Sequence, residues 1–512
     1  MRETLYDGLP AARRAQLHRD VGEALEHIHG EQSDAHLAEL AHHFFEAAAV
    51  GGAAKALELS ARAGDRATEM LAYEEAGGHY ERSLCSMQLA GIADDRRRCE
   101  LLLRLAESRS RTGDSGAAQR TFQEAAAIAR RLRAPELLAA AAVGYARGLG
   151  GFLHVVRADE TIIALLEEAL AALDDGDSVL RVRLLGRLAV ELYYSDELDR
   201  RIALSRDAVD MARRLGDRGA LLVALYSRHW AAYGPDSLDE RLLNATEMVK
   251  VASEAGDREM RFHGHHVRLS CLLERCDVEL VDRELEAMIA LAGALRQPVY
   301  GWRTTCLRAM RAILDARFEE AERLAEEALA IGRAASGQEI ATVVYEAAQI
   351  FAMRFGQGRL AEIEQAALDF TRRYPWIQPW RLPLLYSELG RKEEARAELE
   401  RQTSGDLADF PRDGLWITRI AALAHACALV GDAVRARRLY DVLEPFADRN
   451  VSTIADQSCG PVAIRLGMLA ATMSRWEDAE RHFEAGLALC RSMRAPTFVA
   501  LNLSEHARML LA

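Results

Sequence analysis

Residues 465–489 read RLGMLAATMSRWEDAERHFEAGLAL, and this stretch decides the fold. Gly467 and Ala470 share one face of a first helix. Ser474 and Arg475 make a turn, and Trp476 opens a second helix with Ala479, Phe483 and Gly486 on one face. Small residues at these positions let two antiparallel helices approach closely, while the large Phe fills the gap between one pair and the next. This is the tetratricopeptide pattern. It recurs in residues 102–129 as Ala106, Gly113, Ala118, Phe122 and Ala125, and in residues 307–331 as Ala309, Ala312, Phe318, Ala321, Ala325 and Ala328. In the latter copy Ala325 stands where the others have Phe, so the gap must be filled from elsewhere. Weaker copies turn at Gly390 and Gly431.

The middle of the chain has a longer period. RRLGDRGALLVALYSR (213–228) and SEAGDREMRFHGHHVR (253–268) place Gly216-Asp217 and Gly256-Asp257 forty residues apart. A Gly that ends one helix and an Asp that begins the next supply both caps in one dipeptide. Further turns are expected at Gly51-Gly52, Asp174-Asp175-Gly176, Gly234-Pro235, Gly337, Gly356 and Gly460-Pro461. No segment reads as a strand. Pro375, Pro379 and Pro383 in YPWIQPWRLP should interrupt helix, and GYARGLGGFLHVV (144–156) is a second break. The fold class is therefore all-α: a tetratricopeptide-like superhelix of helical hairpins.

The bulk properties agree. With 512 residues the chain exceeds one compact core unless it is a repeat array. Half of it is hydrophobic, which excludes disorder. A net charge of −13 argues against a dedicated nucleic-acid surface. The eight cysteines are scattered without a Cys-x-x-Cys pair, as suits small buried hydrophobes in a reducing cytosol. No basic-then-apolar leader is present, and the longest uncharged stretch, 420–431, is far short of the ~18 residues of a membrane span. A soluble cytoplasmic protein without membrane contact is expected.

Motifs for chemistry are missing. Nothing matches the phosphate-binding G-x-x-x-x-G-K-[ST] loop, and DDGD (174–177) lacks the rest of a calcium loop. In FHGHHVR, His263 and His266 share a helix face and His265 points elsewhere; a metal would need ligands from another helix. His42-His43 reads as ordinary helix-surface histidine. No catalytic residue, cofactor or metal ligand is expected. One arrangement stands out. Arg228, Arg268 and Arg308 are forty residues apart, each late in the first helix of its hairpin, and Arg187 lies near the same phase. First helices line the concave face of such superhelices, so these residues are candidates for an arginine ladder in a groove, with Tyr194, Trp230, Tyr233 and Trp302 as stacking surfaces. The competing reading pairs each Arg with a carboxylate of the neighbouring helix.

RETLYDGLPAARRAQLHRDVGEALE (2–26) resembles the segment that closes the winged-helix part of STAND-type signal-transduction ATPases, in particular the large ATP-binding LuxR-type regulators and adenylate-cyclase-linked relatives of actinobacteria. ELAHHFFEAA, AYEEAGGHYERSL, LLEEALAAL, DSVLRVRLLGRLAVELYYS, ARRLGDRGALLVALYSRHWAAYGP and EPFADRN resemble the repeats that follow in that family. The resemblance implies a sensor and interaction arm that binds a protein, a peptide or a small anionic inducer and works with an ATPase module in cis or in trans. It supplies no Walker residues and no recognition helix, since no positions match. The alternative is a stand-alone adaptor for peptides or proteins.

The expected organisation is a winged-helix remnant at 1–33, repeats at 34–373, and further repeats at 374–512 that stop in mid-repeat. Leu5, Tyr6 and Leu9 at one end, and Phe498, Val499, Leu501, Leu503, Met509, Leu510 and Leu511 at the other, are expected to lack partners and to promote self-association. Because the phosphate-cradling loop is absent, the isolated chain should neither bind nor hydrolyse ATP. Calorimetric titration with ATP should show no saturable heat; micromolar binding would overturn the reading.

Overall fold

The structure, a computed structural model, describes residues 9–29, 36–146, 159–195, 197–335, 338–375, 380–407, 410–453 and 457–511. The chain parts into two compact units between Glu191 and Leu192.

The first unit contains α1 (Ala11–His29), α2 (Leu37–Glu46), α3 (Ala53–Glu69), α4 (Tyr73–Leu89), α5 (Asp95–Arg111), α6 (Ser115–Leu132), α7 (Pro135–Tyr145), α8 (Glu160–Ala172) and α9 (Val179–Glu191). Each packs mainly on its neighbours in sequence, as a repeat array requires. The second unit opens with α10 (Leu198–Leu215), α11 (Arg218–Ala231), α12 (Leu238–Ala255), α13 (Arg258–Glu274), α14 (Val278–Leu295), α15 (Pro298–Leu314) and α16 (Phe318–Ala335). After α17 (Gln338–Val343), a π-helical stretch, Val344–Ile350, leads into α18 (Phe351–Gly356). Then come α19 (Glu364–Arg373), α20 (Arg381–Glu388), α21 (Lys392–Gln402), α22 (Trp416–Val430), α23 (Ala433–Leu443), β1 (Asn450–Ser452), β2 (Ser458–Pro461), α24 (Val462–Thr472), α25 (Trp476–Ser492) and α26 (Pro496–Leu510).

The Gly-Asp dipeptides cap as expected. Gly216 and Gly256 end α10 and α12 with φ of 66° and 69°, a left-handed conformation that glycine adopts without a Cβ penalty. Asp217 then accepts from the Ala220 amide at 2.6 Å, and Asp257 from the Met260 amide at 2.9 Å. Gly337 lies outside the described residues, as does most of the 144–156 break.

The hairpin packing follows the sequence pattern. Phe483 is 1% exposed. A Cβ on Gly467 would lie 2.8 Å from its ring, and His506 of the next helix stacks on it at 5.2 Å. Phe122 on α6 likewise presses onto Gly144 of α7. In the copy where Ala325 replaces the Phe, Leu324 and Met353, with Phe318 packed against them, close the gap beside Ala309, Ala312 and Ala321.

Three expectations are corrected. First, the chain does contain strands. β1 and β2 form an antiparallel pair, with Asn450 opposite Pro461 and Ser452 opposite Ser458. Val451 is the fully buried centre of this short, otherwise polar segment, which has too few alternations to register as a strand. Second, Pro383 sits inside the first turn of α20, where an amide has no intrahelical partner to lose. Pro375 follows the end of α19, and Pro379 lies outside the described residues. Third, the C-terminal apolar residues are partly covered. Phe498 and Met509 are buried, Val499 and Leu501 are partly buried, and Leu503, Leu510 and Leu511 remain exposed. At the other end Leu9 is half-buried, and Leu5 and Tyr6 lie outside the described residues.

That covering reflects a departure from a nearest-neighbour array. In the second unit the late repeats fold back on the early ones. The Arg412 guanidinium grips Asp236 through two bonds of 2.6 Å. Arg449 donates to the Pro235 carbonyl at 2.6 Å and to Glu274 at 3.1 Å. Arg494 pairs with Glu279, and Thr497 donates to the Ile313 carbonyl. One apolar cluster runs from Phe262 to Met509. Phe483→Ala should therefore cost about 3–5 kcal/mol, and the lost hydrogen-exchange protection should spread from α24–α26 into α13–α15. Loss confined to α24–α26 would show that the closure carries no stability.

Candidate functional site

The arginine ladder is not an open wall. Arg228 is 6% exposed. It holds Glu240 through bonds of 2.8 and 3.1 Å, and also reaches Ser205 Oγ at 3.0 Å. Arg268 is engaged by Glu284, and Arg187 donates through Nε to Glu191 at 2.9 Å. Arg308 is exposed on α15. The reason is regular: Glu240 and Glu284 sit on the second helix of the hairpin whose first helix carries the Arg. Trp230 and Tyr233 are core residues, 0% and 2% exposed, and Trp302 fills the space beside Gly332. The side chain of Tyr194 lies outside the described residues.

What the structure does bring together is a polar seam where the second unit closes on itself. Arg241, 1% exposed, pairs with Glu274 at 2.6 Å and lies 4.4 Å over the Tyr233 ring. Burial is the largest influence and opposes its charge, but Glu274, Cys271 and Tyr233 together outweigh it and the pKa is raised. Beside it, burial pushes His229 well below its ordinary pKa, and the Arg241 charge adds to the effect. Tyr193 donates to the Tyr233 carbonyl at 3.0 Å and receives the Gly414 amide. Gly414 lies so close to the Tyr233 ring that a Cβ would fall 1.9 Å from it. Arg241, Glu274, Tyr193 and the backbone at Tyr233 and Gly414 satisfy one another, so this part of the seam is architecture, while both ring nitrogens of His229 are buried without a hydrogen-bond partner.

The more open feature lies in the first unit. α4, α5 and α6 frame a groove of about 460 Å³. Leu84, Met87, Leu102 and Leu105 form its apolar floor, and Ile92 stands exposed at its edge. Its rim carries both signs of charge. Arg98 pairs with Glu124 at 2.6 Å, and Arg109 holds Thr121 and Glu81 at 2.7 Å each. Sequence reasoning missed it, although one signal was present: Ile92 is a large apolar residue in the turn LAGIADD, where burial is not expected.

The histidines separate. His263 packs 4.9 Å from the Tyr226 ring, His266 is buried, and His265 pairs with Glu284 at 2.6 Å. His43 instead meets His18, Nδ1 to Nδ1 at 2.9 Å, with His42 alongside. Among the described residues no group of three or more His, Cys, Asp or Glu could hold a metal ion. No described helix is long and apolar enough to cross a membrane.

No protein-family model matches the chain, and no curated protein sequence matches it. Among solved structures, a Rap protein complexed with Competence and Sporulation Factor is similar at 12% identity and a TM-score of 0.39, covering 67% of this chain and 97% of that one. Yeast Tom70 is similar at 11% identity and 0.36, covering 89% and 96%. Naa15/Naa10 bound to HypK is similar at 12% identity and 0.21, covering 98% and 96%. Scores at this level carry no argument about function.

The His18–His43 contact generates a pH prediction. Burial lowers both pKa values below 6.5, with Glu46 opposing at His18, and neighbouring histidines lowering both. Between the folded and unfolded values the unfolded chain binds more protons, so stability is full above 6.5 and falls as pH drops below it. Hydrogen exchange in α1 and α2, corrected for intrinsic rate, should show more frequent opening at about pH 5.5 than at about pH 7.5. Equal opening at both would contradict the assignment.

Proposed function

We propose that this chain is the non-catalytic repeat arm of a signal-transduction ATPase of the STAND type, or of a large ATP-binding LuxR-type regulator, and that it binds a protein partner. The resemblance of its repeat segments to that family supports the ATPase context, and the helical hairpins support a scaffold. The observation that carries the binding role is the groove over α5. It pairs an apolar floor with a rim of both signs. Its expected occupant is a peptide segment of the partner with an apolar anchor and flanking charges, because such an anchor would cover Ile92 and the floor while its charges meet Arg98, Arg109 and Glu124. In this role the arm biases ATP-dependent assembly without touching nucleotide.

The test is reconstitution with the STAND ATPase encoded in or beside the same reading frame. Adding this chain should shift the ATPase's nucleotide-dependent oligomers on sizing chromatography. Ile92→Asp, on an exposed side chain that folding tolerates, should weaken the shift about tenfold or more. An unchanged oligomer distribution, or the absence of any such ATPase, would favour the stand-alone adaptor.

A further inference from the structure

Leu71 joins α3 to α4 in the first unit with a φ of 61°, a left-handed conformation. Two bonds close this turn: the Leu71 amide donates to the Thr68 carbonyl at 3.0 Å, and the Ala72 amide to the Ala67 carbonyl at 2.8 Å. The same pair of bonds closes the turn inside other hairpins, with Gly113, Cys276, Ala316, Gly390, Gly431 and Ser474 in the place of Leu71. Each of those is glycine or carries a small side chain, because a left-handed residue brings its Cβ against the following carbonyl oxygen. The longer residues that share this φ at other turns, Arg133, Arg296 and Arg494, are polar. Among the described residues Leu71 is the one large apolar side chain held in this conformation.

The turn is also bare. Met70 is 70% exposed and Leu71 46%. At the position of Met70 the other hairpins carry a polar residue, as at Thr112, Arg275 and Asp315, or an apolar one that is partly or fully covered, as at Leu389, Val430 and Met473. Leu71 therefore costs the fold backbone strain and returns little burial, a combination that persists where a contact outside the fold requires it. Within four residues of Leu71 on either side the only charged residues are Glu69, Glu74 and Glu75, all exposed. The nearby cations Arg104 and Arg111 are held by Asp65 at 2.8 Å and Glu107 at 2.9 Å. An apolar tip inside an acidic collar is repelled by an anionic lipid surface and by a copy of itself. It is complementary to an apolar pocket with a basic rim.

We propose that the α3–α4 turn is a docking tip, whose Met70 and Leu71 insert into an apolar pocket rimmed by Lys or Arg on the protein partner of this chain. The tip and Ile92 stand at opposite ends of α4, a helix of 17 residues and so about 25 Å long, which makes this a contact separate from the groove. The proposal deepens the reading of the chain as an arm that binds a protein partner and rests on it, by giving the chemistry of the partner's surface.

The test pairs the melting temperature of the full chain with its affinity for the STAND ATPase encoded in or beside the same reading frame. Leu71→Asn should melt at or above the wild type, because Asn tolerates the left-handed conformation, and should bind the ATPase about tenfold more weakly or worse. Met70→Ser should weaken binding similarly and leave the melt unchanged. Wild-type affinity should fall as salt rises, and the double variant Glu74→Lys, Glu75→Lys should lower it further. A Leu71→Asn chain that melts below the wild type would show Leu71 seated in the fold and overturn the tip. Affinity that neither Leu71→Asn nor Met70→Ser changes would do the same, and tighter binding after charge reversal would overturn the basic rim. Ile92→Asp separates the two readings. An ATPase that binds wild type and Met70→Ser alike, but not Ile92→Asp, removes the tip and leaves the repeat arm standing. An ATPase that binds none of them, wild type included, removes both.

Discussion

The protein depends on aromatic rings pressed onto positions that have no side chain. Phe483 on Gly467, Phe122 on Gly144 and Tyr80 on Gly64 each bring a ring to within van der Waals range of a helix backbone. At each contact an added Cβ would fall inside 3 Å of the ring, so even alanine requires the helices to part. The same device operates over long sequence distance. Tyr233 packs on Gly414, and Phe498 packs on Gly460, whose φ of 87° also excludes a side chain. Hairpin formation and the closure of the second unit therefore use one kind of contact at two ranges.

This explains which parts of the fold were legible in the sequence. Gly467 and Phe483 lie on consecutive helices, so their spacing repeats and can be read. Gly414 and Tyr233 have no fixed spacing, and nothing local marks them as partners. The caps at Asp217 and Asp257 were readable because a cap acts within three residues. The Arg449–Glu274 bond joins residues 175 apart and left no signal. The ladder is the instructive middle case. Its period of forty was real, but the period alone could not tell a groove-lining Arg from one held by the next helix. The presence of Glu240 and Glu284 on those next helices was the available discriminator. For the candidate site, the groove over α5 was legible only through Ile92, since its floor residues look like any other core positions.

Closure also changes where binding chemistry is found. In an open superhelix the first helices of the hairpins present a continuous inner face. Here the segments around Arg412 and Arg449 bond to the turn after α11 and to α13, and the polar groups of this closure satisfy those of Arg241, Glu274 and Tyr193. A face whose donors and acceptors are already matched gains little from another ligand, because each new bond must replace an existing one. What remains is the groove over α5 in the first unit.

The buried arginines differ in how their charge is compensated. For Arg241, burial lowers the pKa, and Glu274 with Cys271 and Tyr233 more than offsets it. For Arg381, burial acts almost alone and pushes the pKa down to about 9. At neutral pH the group is still charged, so it is a cation in an apolar setting with two aromatic faces for company. Cation–π contact with Phe351 and Trp380 recovers part of the lost hydration, by about 2 kcal/mol or more per desolvated contact, against a penalty of several kcal/mol for an unpaired buried ion. Packing alone does not account for an arginine there, since a Met of similar length would fill the space without the charge.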